Sequence, residues 1–277
     1  MFVNFKNFKG AFTDSISLLK EHWKNLSIDF VKVAILSYIP MLLWFSVMYL
    51  INQFPEYIPS MLESFMVLIL FVISLVLYYI VDSMSMNVPD EIANGKRISV
   101  IKQFLKNAFP MAKIVLIVLA IVVLFTEIAK LNPILTVILL VLGAIAIFFF
   151  QFLLYEIIVG RKGMLKSFSR SFNIVKGNIS NVIIFDVVFV VISLILYFSE
   201  QMLFYSLASI SGLIVTLSDI SYLLMVAAFA PFVLFAVGLI LIGAIISYFV
   251  YVVPMYFLWK RLTAEKEQEN IKKPTTQ

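Results

Sequence analysis

Residues 134–154 read Ile-Leu-Thr-Val-Ile-Leu-Leu-Val-Leu-Gly-Ala-Ile-Ala-Ile-Phe-Phe-Phe-Gln-Phe-Leu-Leu, with no charged residue in the run. As a helix, a run of about 20 apolar residues crosses the roughly 30 Å hydrocarbon core of a bilayer. Within lipid every backbone N–H and C=O must be paired inside the protein, and a helix achieves this within one segment. Comparable runs occupy 65–81, 114–125, 182–198 and 232–257. With the less uniform stretch at 31–51 they predict helices at about 31–51, 65–86, 111–129, 133–158, 180–199 and 232–259. The expected fold is an all-α polytopic membrane bundle of six transmembrane helices.

The composition agrees. Of 277 residues, 62% are hydrophobic and 13% charged, against about half and about a quarter in soluble domains. No polar stretch is long enough for a separate soluble domain. The first 27 residues lack a continuous apolar core followed by a small-residue cleavage site, so no signal peptide is expected. There is no cysteine, which excludes disulfides, thiolate metal sites and a cysteine nucleophile. The net charge of +5 is not read as a sign of a nucleic-acid partner, because in such a chain the placement of basic residues matters more than their sum.

That placement is uneven. All but Lys130 of the 21 Lys and Arg residues fall between Lys6 and Lys32, Lys96 and Lys113, Arg161 and Lys176, or Lys260 and Lys273. With six crossings these four segments share one side, while the opposite connections hold Glu56, Glu63, Glu127, Glu200 and Asp219. Basic residues are retained in the cytoplasm. The expectation is therefore a cell-membrane protein with both termini cytoplasmic.

The chain also matches itself. Ile16-Ser-Leu-Leu-Lys-Glu-His-Trp-Lys-Asn25 aligns without a gap to Ile98-Ser-Val-Ile-Lys-Gln-Phe-Leu-Lys-Asn107, and more weakly to Phe168-Ser-Arg-Ser-Phe-Asn-Ile-Val-Lys-Gly177. Each copy carries an apolar helical stripe: Phe12, Ile16, Leu19, Trp23 and Leu26; Ile98, Ile101, Leu105 and Ala108; Leu165, Phe168, Phe172 and Val175. The expected element is an interfacial amphipathic helix that ends at Asn25, Asn107 or Gly177 in a left-handed residue before the chain enters the membrane. The even helices repeat as well, since Gly143, Ala144, Ile145, Phe149 and Arg161 recur at Gly243, Ala244, Ile245, Phe249 and Arg261. The units are then about 7–86, 96–160 and 163–262 within a single membrane domain, 1–262, followed by a disordered polar tail, 263–277. Each unit is a helical hairpin preceded by its interfacial helix. The third carries an insertion at about 200–230 that lies on or re-enters the outer leaflet, and Pro231 falls near a helix start.

The run Ser167-Phe-Ser-Arg-Ser-Phe-Asn-Ile-Val-Lys-Gly-Asn178, preceded by a long apolar helix, resembles a signature in poorly characterised prokaryotic six-helix membrane proteins. These include YciC-type proteins and the membrane domain that accompanies some glycerophosphodiester phosphodiesterases. The resemblance implies a membrane architecture and a lipid context. It implies no reaction, because in those fusions a separate soluble domain carries catalysis.

Ionisable residues inside a membrane raise a functional hypothesis by default. Asp186 is the deepest, about six residues or 9 Å into the fifth helix. Asp82 and Glu156 lie near the cytoplasmic helix ends, level with Lys32 and Lys113. Two readings stand for this group: a relay or polar substrate site, or an ion-pair layer that fastens hairpins together. Lys20, Lys24, Lys102, Lys106, Lys166, Arg170 and Lys176 on the interfacial helices are candidates for lipid-headgroup contact. Pro40 and Pro254 read as kinks. His22, the single histidine, stands without a cysteine or a carboxylate cluster, so neither metal nor cofactor is expected. The leading function is a non-enzymatic protein that organises, senses or helps move membrane lipids or amphiphiles. The alternatives are a permease subunit of an ABC-type exporter, with an ATPase partner, and a secondary transporter using Asp186. An intramembrane enzyme has least support, because no nucleophile–base spacing appears.

Overall fold

The structure is a computed structural model that describes residues 6–53, 60–131, 133–195, 242–243 and 245–272. Among these residues the chain is helical, with no strand. The first helix, α1, runs Lys6–Gln53 and is broken at His22, whose φ of −129° is non-helical. α2 (Ser60–Asp82) tightens into a 3₁₀ turn, Ser83–Asn87, and passes into the short α3 (Val88–Ala93), with Pro89 in its first turn. There follow α4 (Val100–Leu131), α5 (Pro133–Phe150) and α6 (Leu153–Ile158). Next come α7 (Met164–Gly177) and α8 (Ile179–Ile195), bent by 91° at Asn178. A π-helical turn, Tyr248–Val252, leads into α9 (Val253–Lys272). Pro254, in the first turn of α9, has no N–H to give the preceding helical ladder.

Three stretches are long and apolar enough to cross a membrane: Lys6–Met48, Met66–Ala93 and Val100–Ile128. The bent pair α7–α8 qualifies as a broken span, and Ile134–Phe150 is a shorter apolar helix. α1 packs along α2 and α9, α2 also packs on α4, α4 on α5, and α7 on α5 and α6.

The buried core gathers toward one end of these helices. Phe30, Met84, Ile92 and Val253 form one cluster; Phe152, Ile174, Tyr256 and Leu258 form another; Ile80, Met111 and Ile158 form a third. Full burial of a side chain such as Phe30 stabilises by about 1.5–3 kcal/mol. By contrast, no described residue between 116 and 150 is buried, and Leu140 and Ile147 are 63% and 75% exposed. So much bare apolar surface on a single chain marks a face that meets lipid or protein.

Several sequence expectations need correction. The segments expected to be interfacial helices do not end in left-handed residues at Asn25, Asn107 or Gly177: among the described residues, positive φ occurs at Gly95 (69°) and Arg161 (52°). The first break falls at His22, three residues before Asn25, and α4 continues through Asn107 without a break. Asn107 is buried there, and its amide is held by Ser83 and Arg161, so tertiary partners replace the cap it was expected to provide. The helix expected at 133–158 is interrupted by a turn at Gln151 and Phe152. The insertion at 200–230, Pro231 and the start of the last predicted helix lie outside the described residues.

Candidate functional site

Polar side chains collect at the end of the bundle that holds the core, where α6, α7, α9 and the turn after α2 meet α1 and α4. The most buried node is Glu156 on α6, whose side chain is fully enclosed. Lys162 Nζ lies 3.1 Å and Arg170 Nε 3.3 Å from its Oε2, while the Trp259 indole N–H donates to Oε1 at 2.8 Å and the Thr263 hydroxyl at 3.5 Å. Removing a carboxylate from water costs several kcal/mol, which close cations and hydrogen bonds must offset. Arg170 also reaches Glu267 on α9, and the guanidinium beside it holds the Glu267 carboxyl below the usual range. α6, α7 and α9 are thereby joined through one acid.

A second node is Asp29, buried on α1. Arg97, in the segment between α3 and α4, grips it with Nε at 3.0 Å and Nη2 at 2.8 Å, a fork that suits a carboxylate. Lys32 and the Ile98 N–H add bonds of 2.9 and 3.2 Å, and Arg97 Nη1 donates to Asn25 at 2.8 Å. The hydrogen bond to Asp29 raises Arg97 further above its ordinary value.

The third node has a cation but, among the described residues, no anion in direct contact. Arg161 donates to Oδ1 of Asn107 and Oε1 of Gln103, each at 3.0 Å, and to Asn87 at 3.5 Å. Gln103 turns its amide N to Glu91 at 2.7 Å. The left-handed conformation of Arg161 is uncommon for a residue with a Cβ. It sits where Lys162 N–H returns to the Glu156 carbonyl at 3.1 Å and closes α6. Gly160 is required just before it, since a Cβ there would stand 2.8 Å from the Glu156 carbonyl oxygen.

Two further rungs tie α9 and its preceding turn to the end of α2 and to α3. Tyr248 donates to Asp82 at 3.1 Å and Tyr256 to Asp90 at 2.6 Å, with Lys260 Nζ donating to the Tyr256 oxygen at 2.9 Å. Arg261 bonds Asp14 on α1 at 2.7 Å and crosses above Gly10, where any side chain would displace the guanidinium.

The five intramembrane candidates occupy separate surroundings. Asp82 meets Tyr248, Glu156 meets Lys162 and Arg170, and Lys32 meets Asp29. Lys113 lies over the Phe109 ring at 4.1 Å, and Asp186 takes a long 3.4 Å hydrogen bond from Gln151. Among the described residues no hydrogen bond or ion pair joins any two of the five. Of the headgroup candidates, Lys20, Lys24, Lys102, Lys106, Lys166 and Lys176 are exposed, and Arg170 is turned inward to its two acids. Asp29, Arg97, Gln103 and Trp259 were not singled out by the sequence. Asp29 carried one signal, its place three residues before Lys32 at a helical spacing.

This arrangement defines an all-helical protein with several apolar helices able to span a membrane and a cross-linked polar layer at one end. The chain belongs to the family described as Domain of unknown function (DUF7847), which matches residues 88–257. No curated protein and no solved structure matches the chain.

Proposed function

We propose that the chain is a multi-pass cell-membrane protein whose six spans form three hairpins with both termini cytoplasmic. Its role in this reading is to organise, sense or help move membrane lipids or amphiphiles, without catalysis. The observation that carries it is the orientation of the first turns of α4. Gln103 and Asn107 face the protein and are buried, whereas Ile101 and Leu105 are 75% and 69% exposed beside exposed Lys102 and Lys106. A helix in water turns its apolar stripe inward. One that presents bulky apolar residues and lysines outward, with its amides held inside, suits the boundary between acyl chains and anionic headgroups. The resemblance to six-helix prokaryotic membrane proteins supports the same context. The test is reconstitution in vesicles of mixed zwitterionic and anionic phospholipid, measuring the lipids that co-purify and the movement of labelled lipid between leaflets. Enrichment of anionic lipid or transfer is expected; the absence of both would overturn the reading.

A second reading, coupled transport through Asp186, is supported by the partners of that carboxylate. It is half-buried on an apolar helix and is hydrogen-bonded to a neutral amide, and among the described residues no cation pairs with it. Asp186→Asn is expected to abolish any proton- or sodium-coupled uptake by proteoliposomes, and uptake unchanged by that substitution removes the basis of this reading.

A further inference from the structure

Between α4 and the turn joining α6 to α7 lies a cleft of about 300 Å³. Its lining includes Lys106, Lys113, Arg161 and Lys162 and, among the described residues, no acidic one. Of the four cations, Lys162 is matched by Glu156 at 3.1 Å. Arg161 is held by three neutral amide oxygens, which fix the guanidinium without cancelling its charge. Lys113 rests over an aromatic ring, and neither it nor Lys106 makes an ion pair among the described residues. Gly163 and Met164, the N-cap and first residue of α7, also line the cleft, and no side chain caps that helix start. Its first N–H groups and the positive end of its dipole are therefore available to an anion.

The rest of the lining fixes the kind of anion. Phe109, Ile114 and Ile157 form apolar walls, and from Phe109 the outer face of α4 continues through Leu116, Ile117 and Val123, all exposed. A soluble anion has no use for such a path, whereas an acyl chain does. We propose that this cleft is a binding site for the phosphate headgroup of an anionic phospholipid. Lys106, Lys113 and Arg161 supply the charge, the start of α7 supplies N–H donors, and the α4 face supports an acyl chain. The inference rests on the lipid-handling reading above and adds to it a single saturable site, distinct from diffuse attraction by the surface lysines.

The experiment exchanges detergent-purified protein into nanodiscs or mild detergent with phosphatidylglycerol or phosphatidylcholine, and counts retained lipids by native mass spectrometry. The wild type is expected to hold one phosphatidylglycerol and no phosphatidylcholine. Lys106→Gln with Lys113→Gln is expected to weaken that retention about thirtyfold, near a factor of five per surface charge. Lys20→Gln with Lys24→Gln, outside the cleft, is expected to keep the bound lipid while reducing the general preference for anionic vesicles. Retention unchanged in the Lys106/Lys113 variant overturns the site. So does full displacement of the lipid by equimolar glycerol phosphate, which would assign the cleft to a soluble phosphate compound. A wild type that prefers anionic vesicles yet retains no lipid overturns the site and leaves the broader reading standing. A wild type with neither preference, retention nor lipid transfer overturns both.

Discussion

The indole N–H of Trp259 on α9 donates to the enclosed carboxylate of Glu156 on α6 at 2.8 Å, across 103 positions of sequence. The same carboxylate pairs with both Lys162 and Arg170. Trp259→Phe keeps an aromatic ring beside Tyr155 and Tyr256 but removes the donor, and is expected to cost about 1–3 kcal/mol. Glu156→Gln leaves two cations without their central acid and is expected to cost more, about 3–5 kcal/mol. Thermal unfolding in detergent ranks the two; equal midpoints in both variants and the wild type would show that the node contributes nothing to stability.

The forked contact between Arg97 and Asp29 predicts that arginine and lysine are not interchangeable at position 97. Arg97→Lys retains charge but cannot supply paired N–H donors in one plane. A double-substitution cycle with Asp29→Asn is expected to give a coupling of about 1–3 kcal/mol for the native pair and less than half of that for the lysine variant. Strictly additive losses would count against a specific pair.

Glu267 gives a pH dependence whose sign follows from its partner. Arg170 depresses the folded carboxyl below its ordinary value, so folding favours the ionised form. The contact is complete above the unfolded glutamate value of about 4.3 and weakens as pH falls through the lower folded value. Because Glu267 is 60% exposed, solvent screening keeps the effect within about 1 kcal/mol. Hydrogen-exchange protection along α9, measured relative to the intrinsic exchange rate at each pH, is expected to fall on acidification in the wild type, with a smaller fall in Glu267→Gln; identical profiles would contradict it.

Orientation can be read with single cysteines, since the chain has none of its own. Lys102→Cys and Glu127→Cys both replace exposed residues of α4, near its start and toward its end. In intact cells a membrane-impermeant maleimide is expected to label position 127 and spare position 102 until the membrane is opened. The reverse pattern would invert the proposed topology.

Part of the helical layout was legible because hydropathy is a local property: the apolar runs at 65–81 and 114–125, and residues 182–195 of the next, lie on helices. The polar layer was far less legible. Asp29 and Arg97 are 68 positions apart, and nothing in either neighbourhood marks the other. Gln103 carries no local signal for burial and Asn107 reads as a helix end, yet both are buried. The helical period locates a stripe but does not say which solvent surrounds it, and beside lipid the apolar side faces out. Asn107 likewise shows why a local terminating signal failed: Ser83 and Arg161 satisfy its amide, so the helix has no reason to stop.

The pairing of Arg261 with Asp14 above Gly10 has a consequence in time. These residues are 247 positions apart, and at about 5–20 residues per second a ribosome needs roughly 10–50 s to make the intervening chain. For that interval the first turns of α1 have no α9 to dock against. Arrival of α9 then fastens it to a segment made 247 positions before it, so this contact forms only after the whole intervening chain has been synthesised.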